Sequence, residues 1–142
     1  MWQERSLCLR CQNNRIMIKN FSVVIVEDAR LELKGTEEIF RTELPEVEII
    51  GVASNECELN SVLERAVPDL LLLDLGLGGS TTVGVDICAR MKREHPLMKV
   101  LVFTGELLNE KLWVDVLDAG ADGSTTQVDF QEVKAHPYWK IL

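Results

Sequence analysis

Residues 69–77, Asp-Leu-Leu-Leu-Leu-Asp-Leu-Gly-Leu, form the stretch of sequence that decides the fold. Leu70 to Leu73 are four consecutive leucines, preceded by Pro68 and followed by a glycine-rich loop. A short apolar run between such breakers predicts a β-strand that is covered on both faces. Asp74 comes next, where the strand is expected to emerge into solvent. Because open parallel sheets bind ligands at the carboxyl ends of their strands, Asp74 is a candidate functional residue. The alternative is that it only caps or solvates the strand end.

The composition is that of one globular domain. The chain has 142 residues, of which 46% are hydrophobic and 27% are charged, and a typical domain has about 100–150 residues. The formal net charge of -8 argues against a nucleic-acid-binding surface. The apolar stretches are too short to span a bilayer, and the N-terminus lacks the apolar core of a signal peptide. We therefore expect no membrane association, a cytoplasmic location and reduced cysteines.

Strand and helix patterns alternate along the chain. Besides the leucine run, apolar runs predict strands at Phe21–Val26, Val47–Ala53, Lys99–Thr104 and Ala121–Thr125. Between them, four helices are predicted by apolar stripes with helical spacing: Leu33, Phe40, Leu44; Leu59, Val62, Leu63, Ala66; Gly84, Ile87, Cys88, Met91; Leu108, Leu112, Val116, Ala119. Residues 76–83 are expected to form a loop, and Asp129 to Leu142 a weak last helix. Such alternation requires a parallel sheet with right-handed crossovers and helices on both faces. The predicted fold is a five-stranded, doubly wound α/β domain.

Polar side chains stand at three of the predicted strand ends. Glu27 and Asp28 follow the first strand, Asp74 follows the leucine run, and Thr104 ends the fourth strand. In a doubly wound sheet these ends converge on one crevice. At about 4 Å and an effective dielectric of about 20, two carboxylates repel by about 4 kcal/mol. Such a cluster persists by taking up protons or by binding a hard cation, and oxygen ligands at an open edge favour Mg²⁺. The Thr104 hydroxyl is placed to hydrogen-bond an anion held on Asp74.

Four strings of residues, taken together and in order, resemble one known family. They are Val-Val-Ile-Val-Glu-Asp (23–28), Leu-Leu-Leu-Leu-Asp-Leu (70–75), Val-Leu-Val-Phe-Thr-Gly (100–105) and Ala-Gly-Ala-Asp-Gly (119–123). From about residue 20 to residue 127, the chain resembles the receiver domain of bacterial two-component response regulators. The resemblance implies a flavodoxin-like fold with strand order 2-1-3-4-5. We expect a receiver domain at residues 20–134, with a poorly ordered extension before it (1–19) and a C-terminal tail after it (135–142).

The resemblance also implies a role for particular residues. Asp74 would accept a phosphoryl group from a histidine kinase or a phosphotransfer protein, in a phosphorelay and without enzymatic activity of its own. Glu27, Asp28, Asp74 and the backbone carbonyl of Gly76 would bind Mg²⁺. Two further residues are implied to act beside the phosphate: Thr104 would report phosphorylation, and the small Gly105 would leave room for the pocket. The face of the fourth helix and fifth strand is a candidate homodimer surface.

Three departures from the family pattern affect the predicted switch. Gln127 stands where the family has a lysine that pairs with the phosphoryl oxygens, and Ser124 where it usually has an aromatic residue. The loop after Asp74 has Gly78 in place of a proline, and its usual glycine comes about two residues late, at Gly84. These departures favour a second interpretation, in which a degenerate receiver binds proteins independently of phosphorylation. A flavin- or nucleotide-binding enzyme is a third, but no glycine-rich phosphate loop follows the first strand.

Overall fold

Five parallel strands form one sheet in the order β2-β1-β3-β4-β5. The structure is a computed structural model that describes residues 20–104 and 110–126. Within these residues the strands are β1 (Phe21–Val26), β2 (Val47–Ala53), β3 (Leu70–Asp74), β4 (Lys99–Thr104) and β5 (Gly123–Thr126). The helices are α1 (Arg30–Glu43), α2 (Glu56–Arg65), α3 (Thr81–Glu94) and α4 (Glu110–Asp118). The predicted fold class and strand order are confirmed.

The leucine strand β3 lies at the centre of the sheet, between β1 and β4. Leu70 to Leu73 are each at most 1% exposed. Leu71 and Leu73 belong to the core on one face of the sheet, whereas Leu70 and Leu72 belong to the core on the other. Burying a leucine side chain contributes about 1.5–3 kcal/mol. The continuous apolar run is therefore explained by the need to fill both cores at once.

The helices cover both faces of this sheet, as the alternating pattern predicts. Leu59 of α2, Ile87 and Met91 of α3, and Val116 of α4 pack into one core. Phe40 of α1 packs into the other, where it is fully buried. This arrangement leaves the carboxyl ends of the strands as the rim that carries the acidic residues.

The predicted loop at residues 76–83 is shorter in the structure. Leu77–Gly79 form a 3₁₀ turn, and α3 already begins at Thr81. Gly84 explains how the helix can begin so close to the strand, because a Cβ there would lie 2.5 Å from the carbonyl oxygen of Leu75. Real Cβ atoms essentially never come this close to another atom, so only glycine fits.

Two other boundaries also differ from the sequence expectation. Ala66, predicted on the apolar stripe of α2, follows the helix in extended conformation and is exposed. β5 begins at Gly123, two residues after Ala121. Just before it, Asp122 bonds twice to the start of β4. Its backbone N–H donates to the carbonyl oxygen of Val100, and its carboxylate accepts from the Val100 N–H. Leu108, residues 1–19 and the predicted last helix lie outside the described residues. Among the described residues, no helix is long and apolar enough to cross a membrane.

Candidate functional site

Three carboxylates meet at the carboxyl end of the sheet. β1 and β3 are neighbours, with Val26 paired to Leu73, so the residues that follow these two strands come close together. Glu27, Asp28 and Asp74 each place a carboxylate oxygen within 4.8 Å of the other two. The convergence inferred from the sequence is therefore present for these three acids.

Asp74 is more buried than the sequence suggests. It was expected where the strand emerges into solvent, but its exposed fraction is only 6%. The chain after it turns back at once, and Leu75 and Leu77 are both buried. The N–H of Gly76 donates to Asp74 Oδ1 at 2.9 Å. Asp74 is thus held beneath a tight turn rather than standing at an open strand end.

Glu27 is a carboxyl group with almost no exposure, at 1%. Burial raises its pKa to about 8, and the neighbouring charges of Asp74 and Asp28 act in the same direction. The Ala29 N–H, which donates to Glu27 Oε1 at 3.0 Å, opposes that rise. A buried carboxyl with this pKa retains its proton at neutral pH when no cation is near.

The pKa of Asp74 is also raised, chiefly by burial and further by the charges of Asp28 and Glu32. Its hydrogen bonds to Glu27 and to the Gly76 N–H act in the opposite direction. Glu27 and Asp74 are therefore a hydrogen-bonded pair that titrates together. The influence of Glu32, in the first turn of α1, was not predicted from the sequence. The available signal was its place in the first turn of the helix that begins just after Glu27 and Asp28.

Asp28 is exposed and contacts the turn that follows β3. Its Oδ2 accepts from the N–H of Gly78 at 3.0 Å. The carbonyl of Gly76 accepts from the N–H of Gly79 at 2.9 Å, which closes the turn. A carbonyl oxygen has two lone pairs, so this bond leaves Gly76 able to act as a ligand.

The donor set fits a hard divalent cation. Carboxylate and carbonyl oxygens are the ligands that Mg²⁺ takes in proteins. Burial raises the pKa values of Glu27 and Asp74, and the repulsion from neighbouring carboxylates adds to that rise. A divalent cation relieves that repulsion, and the exposed Asp28 leaves one side of the cluster accessible to water.

The residues expected beside the phosphate are only partly described. In the paired strands Asp74 stands opposite Phe103, so the Thr104 backbone lies one residue further along β4. The Thr104 side chain, Gly105 and Gln127 lie outside the described part of the chain. Ser124 of β5 pairs with Val102 of β4 and is half-buried.

A five-stranded parallel sheet with this strand order and an acidic cluster at its carboxyl end fits the receiver class that the sequence resembles. The family model described as "Response regulator receiver domain" matches residues 23–132. The chain therefore belongs to the receiver domains of two-component response regulators.

The curated relatives are longer proteins. A protein-glutamate methylesterase/protein-glutamine glutaminase of Hydrogenovibrio crunogenus is 28% identical over 104 residues, which are 73% of this chain and 27% of that protein. The transcriptional regulatory protein ComA of Bacillus subtilis is 24% identical over 121 residues, which are 84% of this chain and 55% of that protein. The chain thus spans between about a quarter and about half of these relatives.

Solved structures show the same fold. The signal receiver domain of a DNA-binding response regulator from Colwellia psychrerythraea 34H has a TM-score of 0.74 at 22% identity, covering 86% of this chain and 98% of that one. The isolated REC domain of RcsB from Salmonella enterica serovar Typhimurium, in the presence of phosphomimetic BeF3-, has a TM-score of 0.73 at 21% identity. That match covers 86% of this chain and 91% of the RcsB domain.

Proposed function

We propose that this chain is a phosphoryl-accepting receiver in which Asp74 is the acceptor. The observation that carries the proposal is the cluster of Glu27, Asp28 and Asp74, whose carboxylate oxygens lie within 4.8 Å of one another. Receiver domains receive the group from a histidine kinase or a phosphotransfer protein, and we propose the same kind of cytoplasmic donor here. The matched region is a receiver, so any enzymatic activity of longer relatives belongs to their other parts.

In the proposed reaction, a carboxylate oxygen of Asp74 attacks the phosphorus of a phosphohistidine. A new P–O bond forms as the P–N bond breaks, and the electron pair of that bond stays on the imidazole of the donor. Glu27, Asp28, Asp74 and the Gly76 carbonyl would hold Mg²⁺, which when bound neutralises charge on the transferring group. The product adds about -1.5 to -2 charge beside Glu27.

The switch that follows phosphorylation is proposed to involve Thr104, Gly105 and Gln127. A charge-assisted bond contributes about 1.5–3 kcal/mol and a neutral one about 0.5–1.5 kcal/mol, so glutamine in place of lysine weakens the coupling by about 1–2 kcal/mol. A complete two-state switch requires about 5.5 kcal/mol of differential binding. The replacement therefore weakens the switch without abolishing it.

The proposed partner surface is the face formed by α4 and β5. Three apolar side chains of α4 are exposed on the described part of the chain, Trp113 (40%), Val114 (47%) and Leu117 (51%). Leu117 lies four residues after Trp113 and three after Val114, so these side chains are neighbours on the helix surface, and adjacent exposed apolar groups are typical of protein contacts. A homodimer through this face is the simplest form of the proposal.

Phosphorylation is tested by incubating the protein with phosphoramidate and Mg²⁺ and measuring its intact mass. We expect the wild type to gain one labile phosphate, and the gain to disappear with EDTA or in Asp74→Asn. Asp86→Asn, an acid on α3 outside the cluster, is the matched control and should be phosphorylated normally. An unchanged wild-type mass would contradict the proposal.

The second candidate function is a degenerate receiver that binds partners without phosphorylation. Ser124 favours it, because a small half-buried side chain on β5 replaces the aromatic group expected to carry the signal. In that case the wild type and Asp74→Asn would self-associate equally before and after phosphodonor treatment, as measured by sedimentation. Association that increases only in the phosphorylated wild type would support the switching receiver instead.

A further inference from the structure

One hydrogen bond connects the loop after β1 to the turn after β3. The N–H of Gly78 donates to Asp28 Oδ2 at 3.0 Å, between residues that are 50 positions apart in sequence. Asp28 thus contacts the Leu77–Gly79 turn as well as belonging to the acidic cluster. The bond uses only one of its two carboxylate oxygens, which leaves Oδ1 for a cation.

The backbone at Gly78 suits this contact and would not suit the proline expected there from the resemblance. Its φ of 70° lies in the left-handed region, whereas proline is fixed near -65°. Proline also has no N–H to donate. A Cβ at this position would meet no atom within 4 Å in the described structure, so neighbouring side chains do not dictate the glycine. The local conformation and the bond to Asp28 account for it.

The same turn carries the Gly76 carbonyl. Gly76 stands just before the 3₁₀ turn, and its carbonyl accepts from the N–H of Gly79 while its own N–H donates to Asp74 Oδ1. A shift of Gly78 therefore disturbs both the orientation of this carbonyl and the support of Asp74. Two consecutive left-handed glycines, Gly78 and Gly79, give the turn little stiffness of its own.

We infer that Asp28 is a positioning residue in addition to being a proposed ligand: through the Gly78 N–H it fixes the turn that places the Gly76 carbonyl at the metal site. In this chain a hydrogen bond from the Gly78 N–H to the Asp28 carboxylate restricts the conformation of the turn, as a proline would at the same position in the loop. The metal part of this inference rests on the proposed function, whereas the hydrogen bond between Gly78 and Asp28, called the tether below, does not depend on it.

The tether is tested first by amide hydrogen exchange in the metal-free protein. Removing the acceptor in Asp28→Ala should speed exchange of the Gly78 N–H by about tenfold or more. The Gly79 N–H should also exchange faster, because the turn loosens as a unit. Asp28→Asn keeps an oxygen acceptor without the charge and is the matched control, with a much smaller increase. Equal exchange at Gly78 in the wild type and Asp28→Ala would overturn the inference.

The effect on the metal site is tested at Gly78, so that all three acids remain. Gly78→Pro removes the N–H and should weaken Mg²⁺ binding by about tenfold, as measured by calorimetry. Gly78→Ala, which strains the same φ but keeps the N–H, should bind within about threefold of the wild type. Wild-type affinity in Gly78→Pro would overturn the positioning role. If the wild type itself binds no Mg²⁺, the proposed function fails, while the exchange data still decide whether the tether exists.

Discussion

Glu27 and Asp74 place two carboxyl groups where water cannot solvate both as anions. Glu27 is 1% exposed, and its pKa is raised to about 8 mainly by burial. Folding therefore favours the protonated form of this side chain, whereas the unfolded chain would ionise it near pH 4.5. When no cation is bound, the buried Glu27 carboxyl therefore lowers the free energy of unfolding at neutral and alkaline pH.

The sign of the pH dependence follows from that raised pKa. Between about pH 5 and pH 8 the native state keeps a proton that the unfolded state has lost, so the free energy of unfolding falls as pH rises. The neutral Glu27→Gln variant should show a smaller fall over this range. Urea denaturation in EDTA at several pH values measures both slopes. Parallel slopes in the two proteins would contradict the assigned pKa.

Gly84 is a second residue whose identity the structure dictates. A methyl group there would lie 2.5 Å from the Leu75 carbonyl oxygen, so Gly84→Ala must push α3 away from the strand end. We expect a loss of about 1–3 kcal/mol in the free energy of unfolding, typical of overpacking.

The matched control is Gly35→Ala, on the exposed side of α1, where a Cβ meets no described atom within 4 Å. That variant should gain about 0.5–1 kcal/mol, because alanine has the higher helix propensity. A neutral Gly84→Ala would mean that α3 does not approach Leu75 as closely as the structure shows.

At the scale of elements, the start of α2 is fixed by reciprocal capping. Asn55 Oδ1 accepts from the Glu58 N–H at 2.8 Å, and Glu58 Oε1 accepts from the N–H and hydroxyl of Ser54 at 2.7 Å. The two bonds from Ser54 hold the pKa of the Glu58 carboxyl below its usual value. Ser54 and Asn55 therefore both take part in the start of the helix.

Asn55→Ala removes the side-chain cap of α2. The free energy of unfolding should fall by about 1 kcal/mol, measured by urea denaturation. Ser61→Ala, on the exposed face of the same helix, should change it by less than about 0.5 kcal/mol. Equal effects of the two substitutions would show that the Asn55 cap does not contribute to the free energy of unfolding.

The edge strand β2 carries features that discourage pairing with another chain. Its register with β1 shifts between Ile49 and Gly51, which leaves Ile50 as an extra residue. Glu48 is an exposed charge on the same strand. Bulges and charges are common protections of sheet edges. We therefore place the proposed partner surface on α4 and β5 rather than on this edge.

The elements differ in how far the sequence predicted them. β1, β2 and β4 were predicted with their observed ends, and β3 to within a residue, because apolar runs bounded by proline, glycine and acids leave little choice. The turn at Leu77–Gly79 was not predicted, since glycine and threonine give no apolar period. The burial of Asp74 and its pairing with Glu27 depend on contacts between distant parts of the chain, which local patterns do not encode.

For the whole molecule, the fold and the site have one common origin. A parallel sheet with helices on both faces aligns the carboxyl ends of all its strands, so acids separated by almost fifty residues come together at one rim. The leucines of β3 are buried on both faces of the sheet, and Asp74 directly after them is the proposed phosphoryl acceptor. The membership of the receiver family itself is shown by the family model that matches residues 23–132.

The most direct measurement is the position of the phosphate. After treatment with phosphodonor and Mg²⁺, reduction with borohydride converts an aspartyl phosphate to homoserine, which peptide mass spectrometry locates. We predict homoserine at position 74, and nowhere else, in the Mg²⁺-treated wild type. Conversion at Asp28, or none in a protein that remains folded, would contradict the assignment of Asp74 as the acceptor.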